Sequence, residues 1–240
     1  MGTILRGKAE EKTRKVAENV YWIGVHFPDT QFSVNAFLLI DETVVLVDTG
    51  AVPTGKAVLN NIQKYVDPER IDYIVATHSC VDHVGGLATL LDSVGKVKMV
   101  GHPYLEIVLG LYGYKTEFVP ALEGSKMDLG KMSLWFLPPM FLDSWDTIYI
   151  FEERNRILFT ADTFCNAPKR WQLFSNDDIR EEIRNYHTLK FPATSLGDMN
   201  KLKQATSALK RIQPKILAPG HGLLLNKNID SYIDTMAEIL

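Results

Sequence analysis

Two cysteines, Cys80 and Cys165, are all that the 240-residue chain contains, too few for a disulfide framework. They fit a reducing compartment, where a thiol either serves chemistry or sits inert. Long apolar runs are lacking as well: none approaches the roughly 18 residues of a membrane span. The start, Met1-Gly2-Thr3-Ile4-Leu5-Arg6 followed by the charged Lys8–Lys15 stretch, has no apolar signal-peptide region. A cytoplasmic protein with no membrane partner is therefore expected. Nor is there an excess of one charge. With 26 Lys+Arg against 29 Asp+Glu, the net charge of −3 argues against a nucleic-acid partner held by charge. No repeat period, Gly/Ser linker or low-complexity stretch interrupts the chain, so residues 1–240 read as one domain. What is present excludes disorder, because 46% hydrophobic and 10% aromatic residues can bury a substantial core.

Runs rich in Val, Ile, Leu and aromatics predict strands at Val20–Val25, Ala36–Ile40, Val44–Asp48, Ile71–Ala76, Val97–Val100, Leu134–Leu137, Ile148–Phe151, Ile157–Thr160 and Lys215–Ala218. Helical spacing predicts helices over Thr54–Val66, Gly86–Val94, Tyr104–Leu111, Asp177–Leu189, Asp198–Ile212 and Ile229–Leu240. Hairpin-like pairs mixed with strand–helix–strand units imply sheets covered by helices on their outer faces, an α/β domain of four layers. Asn166–Asp178 is the longer irregular segment, and Trp171 and Phe174 make it a candidate lid or partner surface.

The densest chemistry lies in Thr77-His78-Ser79-Cys80-Val81-Asp82-His83-Val84-Gly85-Gly86, where an apolar strand stops and an amphipathic helix starts. In an extended loop, positions two apart face the same way, so His78, Cys80 and Asp82 can converge on one point. His83, at the helix start, can reach a second. Imidazole, thiolate and carboxylate are the side chains that bind transition metals. Packing explains four of them in His78–His83 poorly. The competing reading is a polar loop whose histidines are satisfied by their neighbours.

His78–His83 closely resembles H-x-[HE]-x-D-H, the first motif of the metallo-β-lactamase superfamily. Leu46-Val47-Asp48-Thr49-Gly50 is similar to that family's Asp-Thr-Gly turn, which supports the metal loop from below; alone it would pass for an ordinary strand end. Phe159-Thr160-Ala161-Asp162-Thr163 resembles the strand end that supplies a bridging Asp, and Ala218-Pro219-Gly220-His221-Gly222 the last ligand motif. The resemblance runs from about Val20 to Gly222 and implies an αββα sandwich with its metal site at one edge between the sheets. Val20-Tyr21-Trp22-Ile23-Gly24, Asn35-Ala36-Phe37-Leu38, the run from Asp67 to Val75, and Arg156-Ile157-Leu158-Phe159 look most like the metal domain of flavodiiron proteins. In those proteins a non-haem diiron site binds and reduces O2 or NO. Carried over, one iron would be held by His78 and the residue at position 80, the other by Asp82, His83 and His221, with Asp162 bridging.

Three departures from that pattern matter. Cys80 stands where the family has Glu, and either Leu142 or Asp143 stands where it has His. Anchoring on Pro139-Met140 selects Leu142; anchoring on Asp146-Thr147 selects Asp143, which alone of the two can bind a metal. The first metal position has thus lost an imidazole and exchanged a hard carboxylate for a soft thiolate, while the second keeps its set and is expected to bind more tightly. The sequence also ends at Leu240 without a flavodoxin-like stretch, so an external electron donor or a signalling partner is expected. His26, His102 and His187 read as packed or surface histidines, with His26 kept as a candidate donor to a metal ligand. Trp145 and Phe141 can line a small apolar pocket over the metal. Cys165, three residues after Asp162, is either an inert buried thiol or a neighbour of the metal and of Cys80. Cys80 is expected to be functional, as a ligand of the first metal or as an oxidation-sensitive thiolate.

The leading expectation is a two-iron, non-haem protein that binds O2 or NO, as a reductase or as an oxygen sensor, forming a homodimer as flavodiiron proteins do. The alternatives are a zinc hydrolase of the superfamily, whose metal-bound hydroxide attacks esters, thioesters or lactams, and a non-catalytic interaction protein with a weakened metal site.

Overall fold

In Val44-Val45-Leu46-Val47 every side chain is buried, which a strand achieves where both faces of its sheet are covered. The structure, a computed structural model, describes residues 12–137, 144–190 and 199–239. In chain order its strands are β1 (Arg14–Ala17), β2 (Val20–Trp22), β3 (Val25–Phe27), β4 (Phe32–Val34), β5 (Phe37–Ile40), β6 (Val44–Val47), β7 (Tyr73–Val75), β8 (Lys98–Gly101), β9 (Glu117–Pro120), β10 (Lys126–Asp128), β11 (Ser133–Leu137), β12 (Tyr149–Glu152), β13 (Ile157–Phe159) and β14 (Ile216–Ala218). Its helices are α1 (Gly55–Ile62), α2 (Val81–Val84), α3 (Leu87–Leu90), α4 (Pro103–Leu111), α5 (Arg180–Lys190), α6 (Met199–Ile212) and α7 (Ile229–Ile239).

One sheet has the order β1-β2-β5-β6-β7-β8-β9 and the other β10-β11-β12-β13-β14, while β3 and β4 pair as a ribbon. Alternation then divides the side chains into three apolar layers. Val45, Val47, Phe37 and Leu39 of the first sheet meet Ile150, Ile157, Phe159 and Ala218 of the second. Their neighbours Val44, Leu46 and Leu38 turn the other way, onto Val58, Leu87 and Leu105 of α1, α3 and α4. Tyr149, Leu158 and Leu217 turn outward from the second sheet onto Ile183, Leu209 and Ile233 of α5, α6 and α7. Helices, sheet, sheet and helices make the four α/β layers expected from the sequence. Truncating one interdigitated residue such as Leu46 to Ala should cost about 2–5 kcal/mol.

This topology fixes where chemistry can occur. β6 and β7 are parallel neighbours, as are β13 and β14, and the loops leaving their carboxyl ends carry Asp48, His78, Asp162 and His221. Loops at the carboxyl ends of parallel strands are the usual place for ligands in α/β folds. No helix among the described residues is long and apolar enough to cross a membrane.

The structure departs from the sequence reading in three places. β1, β4, β9 and β10 were not expected, and the single strand expected over Val20–Val25 is split into β2 and β3, which join different sheets; β9 and β10 are largely exposed, so they carry no apolar run to betray them. Trp171 and Phe174, read as a candidate lid or partner surface, are half-buried and pack against the core between the sheets, and Phe174 bridges to Leu224. Finally, the chain is not extended through Asp82, because helix α2 begins at Val81.

Candidate metal centre

The geometry starts from Asp48, which ends β6 with φ 57° and so turns its carboxylate back towards β7. Three donors reach it: the Thr77 amide at 2.8 Å, the Thr77 hydroxyl at 2.8 Å and His83 Nδ1 at 2.8 Å. An ionised carboxylate only accepts, so the proton sits on His83 Nδ1 and Nε2 is turned into the site. Thr49 holds the same loop from behind, its amide 2.7 Å and its hydroxyl 2.9 Å from the His83 carbonyl. His221 is set by the same logic. Its Nδ1 donates to the Ser33 carbonyl at 2.8 Å, leaving Nε2 3.0 Å from Asp82 Oδ2 and 3.4 Å from Asp162 Oδ1.

Asp162 follows Ala161, whose φ of 47° bends the chain after β13, and is buried with its two oxygens facing different groups. Oδ1 lies 3.1 Å from His83 Nε2. Oδ2 lies 4.0 Å from His78 Nε2 and pairs with the Lys190 ammonium. One ligand atom from each of Asp82, His83, Asp162 and His221 lies within 4.8 Å of the others. His78 completes the group, with its ring centroid 3.9 Å from that of His83. Gly220 leaves room for this convergence, since a Cβ there would stand 2.5 Å from His83 Cε1 and 3.0 Å from Asp162 Oδ1. Two imidazoles and two carboxylates are a nitrogen and oxygen set suited to iron or zinc.

Residues 32–222 match the family described as ODP family beta lactamase. The chain belongs to that family. The nitric oxide reductase of Moorella thermoacetica is 23% identical, over 92% of this chain and 60% of that protein. The rubredoxin oxygen:oxidoreductase of Desulfovibrio gigas superposes with a TM-score of 0.83 at 20% identity, covering 95% of this chain and 61% of that one. The flavodiiron protein of Giardia intestinalis gives 0.75 at 18% identity, covering 95% and 58%. This ODP-family chain spans about a third to three fifths of the curated relatives it matches. Its relatives and structural neighbours are flavodiiron proteins, and they share its metallo-β-lactamase-type fold.

Burial and charge set the protonation of the ODP-family site. Burial, reinforced by the charge of His83, pushes His78 down to about 4, so its imidazole is neutral near pH 7, as a metal ligand requires. Burial opposes charging His83, but Asp48 and Asp162 outweigh it and raise its pKa well above the ordinary value. Burial also opposes the ionisation of Asp162 and Asp82. For Asp162 the charges of His221 and His83 prevail; for Asp82 the His221 hydrogen bond and the neighbouring histidines do. Both carboxyls are held below the usual range.

Of the ligands anticipated from sequence, His78, Asp82, His83, Asp162 and His221 are brought together. Cys80 is exposed at the N-terminal cap of α2 and lies outside the four-residue cluster. Asp143, with Leu142 and Phe141, lies outside the described residues. Trp145 is exposed and packs edge-on against Tyr104, with centroids 4.1 Å apart. His26 is buried and stacked on Trp171 at 4.7 Å. His102 caps α4, accepting from the Tyr104 amide at 3.3 Å. Cys165 is a buried neighbour of the centre: its Sγ accepts from the His221 amide at 3.2 Å and lies 3.6 Å from Asp162 Oδ1. Two residues of α5 escaped the sequence reading as site neighbours. His187 is buried there and feels the charge of Asp162, and Lys190 reaches Asp162 itself. Their i, i+3 spacing puts a histidine and a lysine on the helix face that carries Ile183, the one signal available beforehand.

Proposed function

We propose that this chain is a flavodiiron-like, non-haem iron protein that binds O2 or NO and relies on an external electron donor or a signalling partner. The observation that carries this reading is the two-sided carboxylate of Asp162, with Oδ1 towards His83 and His221 and Oδ2 towards His78. Such a group can bridge two metal positions. Asp82, His83 and His221 would hold the second with Asp162, and His78 would begin the first, with Cys80 and Asp143 its remaining candidates. Iron bound there would supply an open coordination position and redox chemistry for a diatomic ligand. The chain's own residues do the rest. Asp48 and the Ser33 carbonyl fix both Nε2 atoms inward, and burial of His78, His83, Asp162 and His221 keeps bulk water from the centre. The names of the relatives, a nitric oxide reductase and an oxygen:oxidoreductase among them, support the same substrates.

The test is anaerobic reconstitution with ferrous iron, followed by titration with NO and with O2 by absorbance. Stoichiometric spectral changes with either gas are expected. Zinc retained in preference to iron, with hydrolysis of esters, thioesters or lactams and no response to either gas, would overturn the proposal in favour of a zinc hydrolase. Retention of neither metal would leave a non-catalytic interaction protein. We also expect His221→Ala to lose more metal than Asp143→Ala, and equal losses would contradict a stronger second position.

A further inference from the structure

The two oxygens of Asp162 are not treated alike. Oδ1 faces two imidazoles, whereas Oδ2, turned towards His78, is already met by a cation, the ammonium of Lys190. If Asp162 bridges two metals, Oδ2 is the oxygen that the first metal needs. We propose that Lys190 and a metal ion at the first position compete for Asp162 Oδ2, so that the two positions load in order, second then first, with Lys190 setting the affinity of the first. This inference rests on the metal centre proposed above.

Geometry supports an exchange. A lysine ammonium is a compact charge on a flexible stem, and a divalent ion at Oδ2 would lie against a like charge that must withdraw. Lys190 has somewhere to go. It ends α5, with its side chain 32% exposed while Asp162 is 1% exposed. Its Nζ already lies 5.7 Å from the centroid of the Tyr186 ring, a distance at which an aromatic face attracts a cation. Lys190 and Tyr186 also border an open cavity of about 570 Å³ into which the displaced ammonium can turn. The helix itself need not move, because Ile183 and His187 of α5 are buried and anchor it. The position that departs from the family's ligand pattern has thus gained a lysine ammonium, while the second position, built from Asp82, His83 and His221, has imidazoles but no Lys or Arg against it among the described ion pairs.

The test is a stepwise titration of the metal-free full chain with Co(II), followed by visible absorption and calorimetry, for the wild type, Lys190→Met and Lys190→Arg. In the wild type the first equivalent should bind tightly and the second weakly. Lys190→Met should tighten the second step by about 10-fold to 100-fold, the scale of other groups that surround a metal, and leave the first step unchanged. Lys190→Arg, which keeps the charge, should stay near the wild type. Independently, amine labelling read by peptide mass spectrometry should show Lys190 reacting faster once the second equivalent has bound. A second step unchanged or weakened in Lys190→Met overturns the competition, as does labelling of Lys190 indifferent to metal. No cobalt bound by any form would overturn the metal centre itself and this inference with it.

Discussion

Gly220→Ala adds one methyl group at the point where the centre is tightest. Gly220 does not have a positive φ, so the backbone accepts alanine and the cost is steric. The new Cβ would stand 2.5 Å from His83 Cε1 and 3.1 Å from His83 Nε2, against an ordinary carbon–carbon contact of about 3.5–4.0 Å, so something must yield by roughly 1 Å. His83 resists, since its Nδ1 is bound to Asp48 at 2.8 Å and its ring is buried. The loop resists as well, because the Gly220 amide donates to the Ala161 carbonyl at 2.6 Å and its carbonyl accepts from the Asn35 amide at 2.8 Å. Overpacking of this kind costs about 1–3 kcal/mol. Metal–ligand distances tolerate only about 0.2 Å, so affinity at the second position should fall by at least the same energy, roughly 5-fold to 150-fold. Cobalt titration for affinity and urea unfolding of the metal-free protein for stability separate the two effects. Gly110→Ala is the control: a Cβ there meets nothing within 4 Å, and the site lies inside α4, so it should add about 0.5–1 kcal/mol of stability and leave metal affinity alone. Wild-type affinity in Gly220→Ala would refute the placement of His83 and Asp162 around this glycine.

Asp48→Asn removes the charge that holds His83 Nδ1–H and should weaken metal binding by about 10-fold to 100-fold; calorimetry showing an unchanged constant would contradict its role. His187 is pushed down to about 4, by burial above all and by Lys190, against the pull of Asp162. The unfolded chain therefore binds the extra proton between pH 6.5 and 4, and stability falls as the pH drops through that window. Between pH 7 and pH 5 the metal-free protein should lose about 2 kcal/mol through this residue; urea unfolding should show that loss reduced by the same amount in His187→Gln, and equal losses would count against it. Cys80→Ser should leave the tightest metal equivalent in place, because Cys80 is exposed and outside the four-residue cluster; a lost equivalent by metal analysis would return the thiol to that position.

The layered fold was legible because β6 and β13 are buried on both faces and spell uninterrupted apolar runs, as β12 does up to Glu152. The proposed second metal position was legible because Asp162 and His221 sit in the turns after β13 and β14, and Asp82 and His83 in the segment after β7, where local spacing and family resemblance coincide. Lys190 was not: it lies 28 residues from Asp162 along the chain, and only the docking of α5 on the second sheet brings the two together. The outward placement of Cys80 was hidden for a different reason. Its own backbone is still extended at the cap of α2, and two-residue alternation gives way to about 100° per residue only after it, at Val81, so alternation alone did not mark Asp82 as the residue that reaches the cluster and Cys80 as the one outside it.

The most direct test of an iron centre held by Asp82, His83, Asp162 and His221 is Mössbauer spectroscopy of the protein loaded anaerobically with isotopically enriched iron, recorded before and after NO, beside the Asp162→Asn variant. The wild type should show high-spin ferrous iron in a nitrogen and oxygen environment whose spectrum changes on adding NO, and Asp162→Asn should retain markedly less iron. Iron that ignores NO, or that binds equally well without the Asp162 carboxylate, would contradict it.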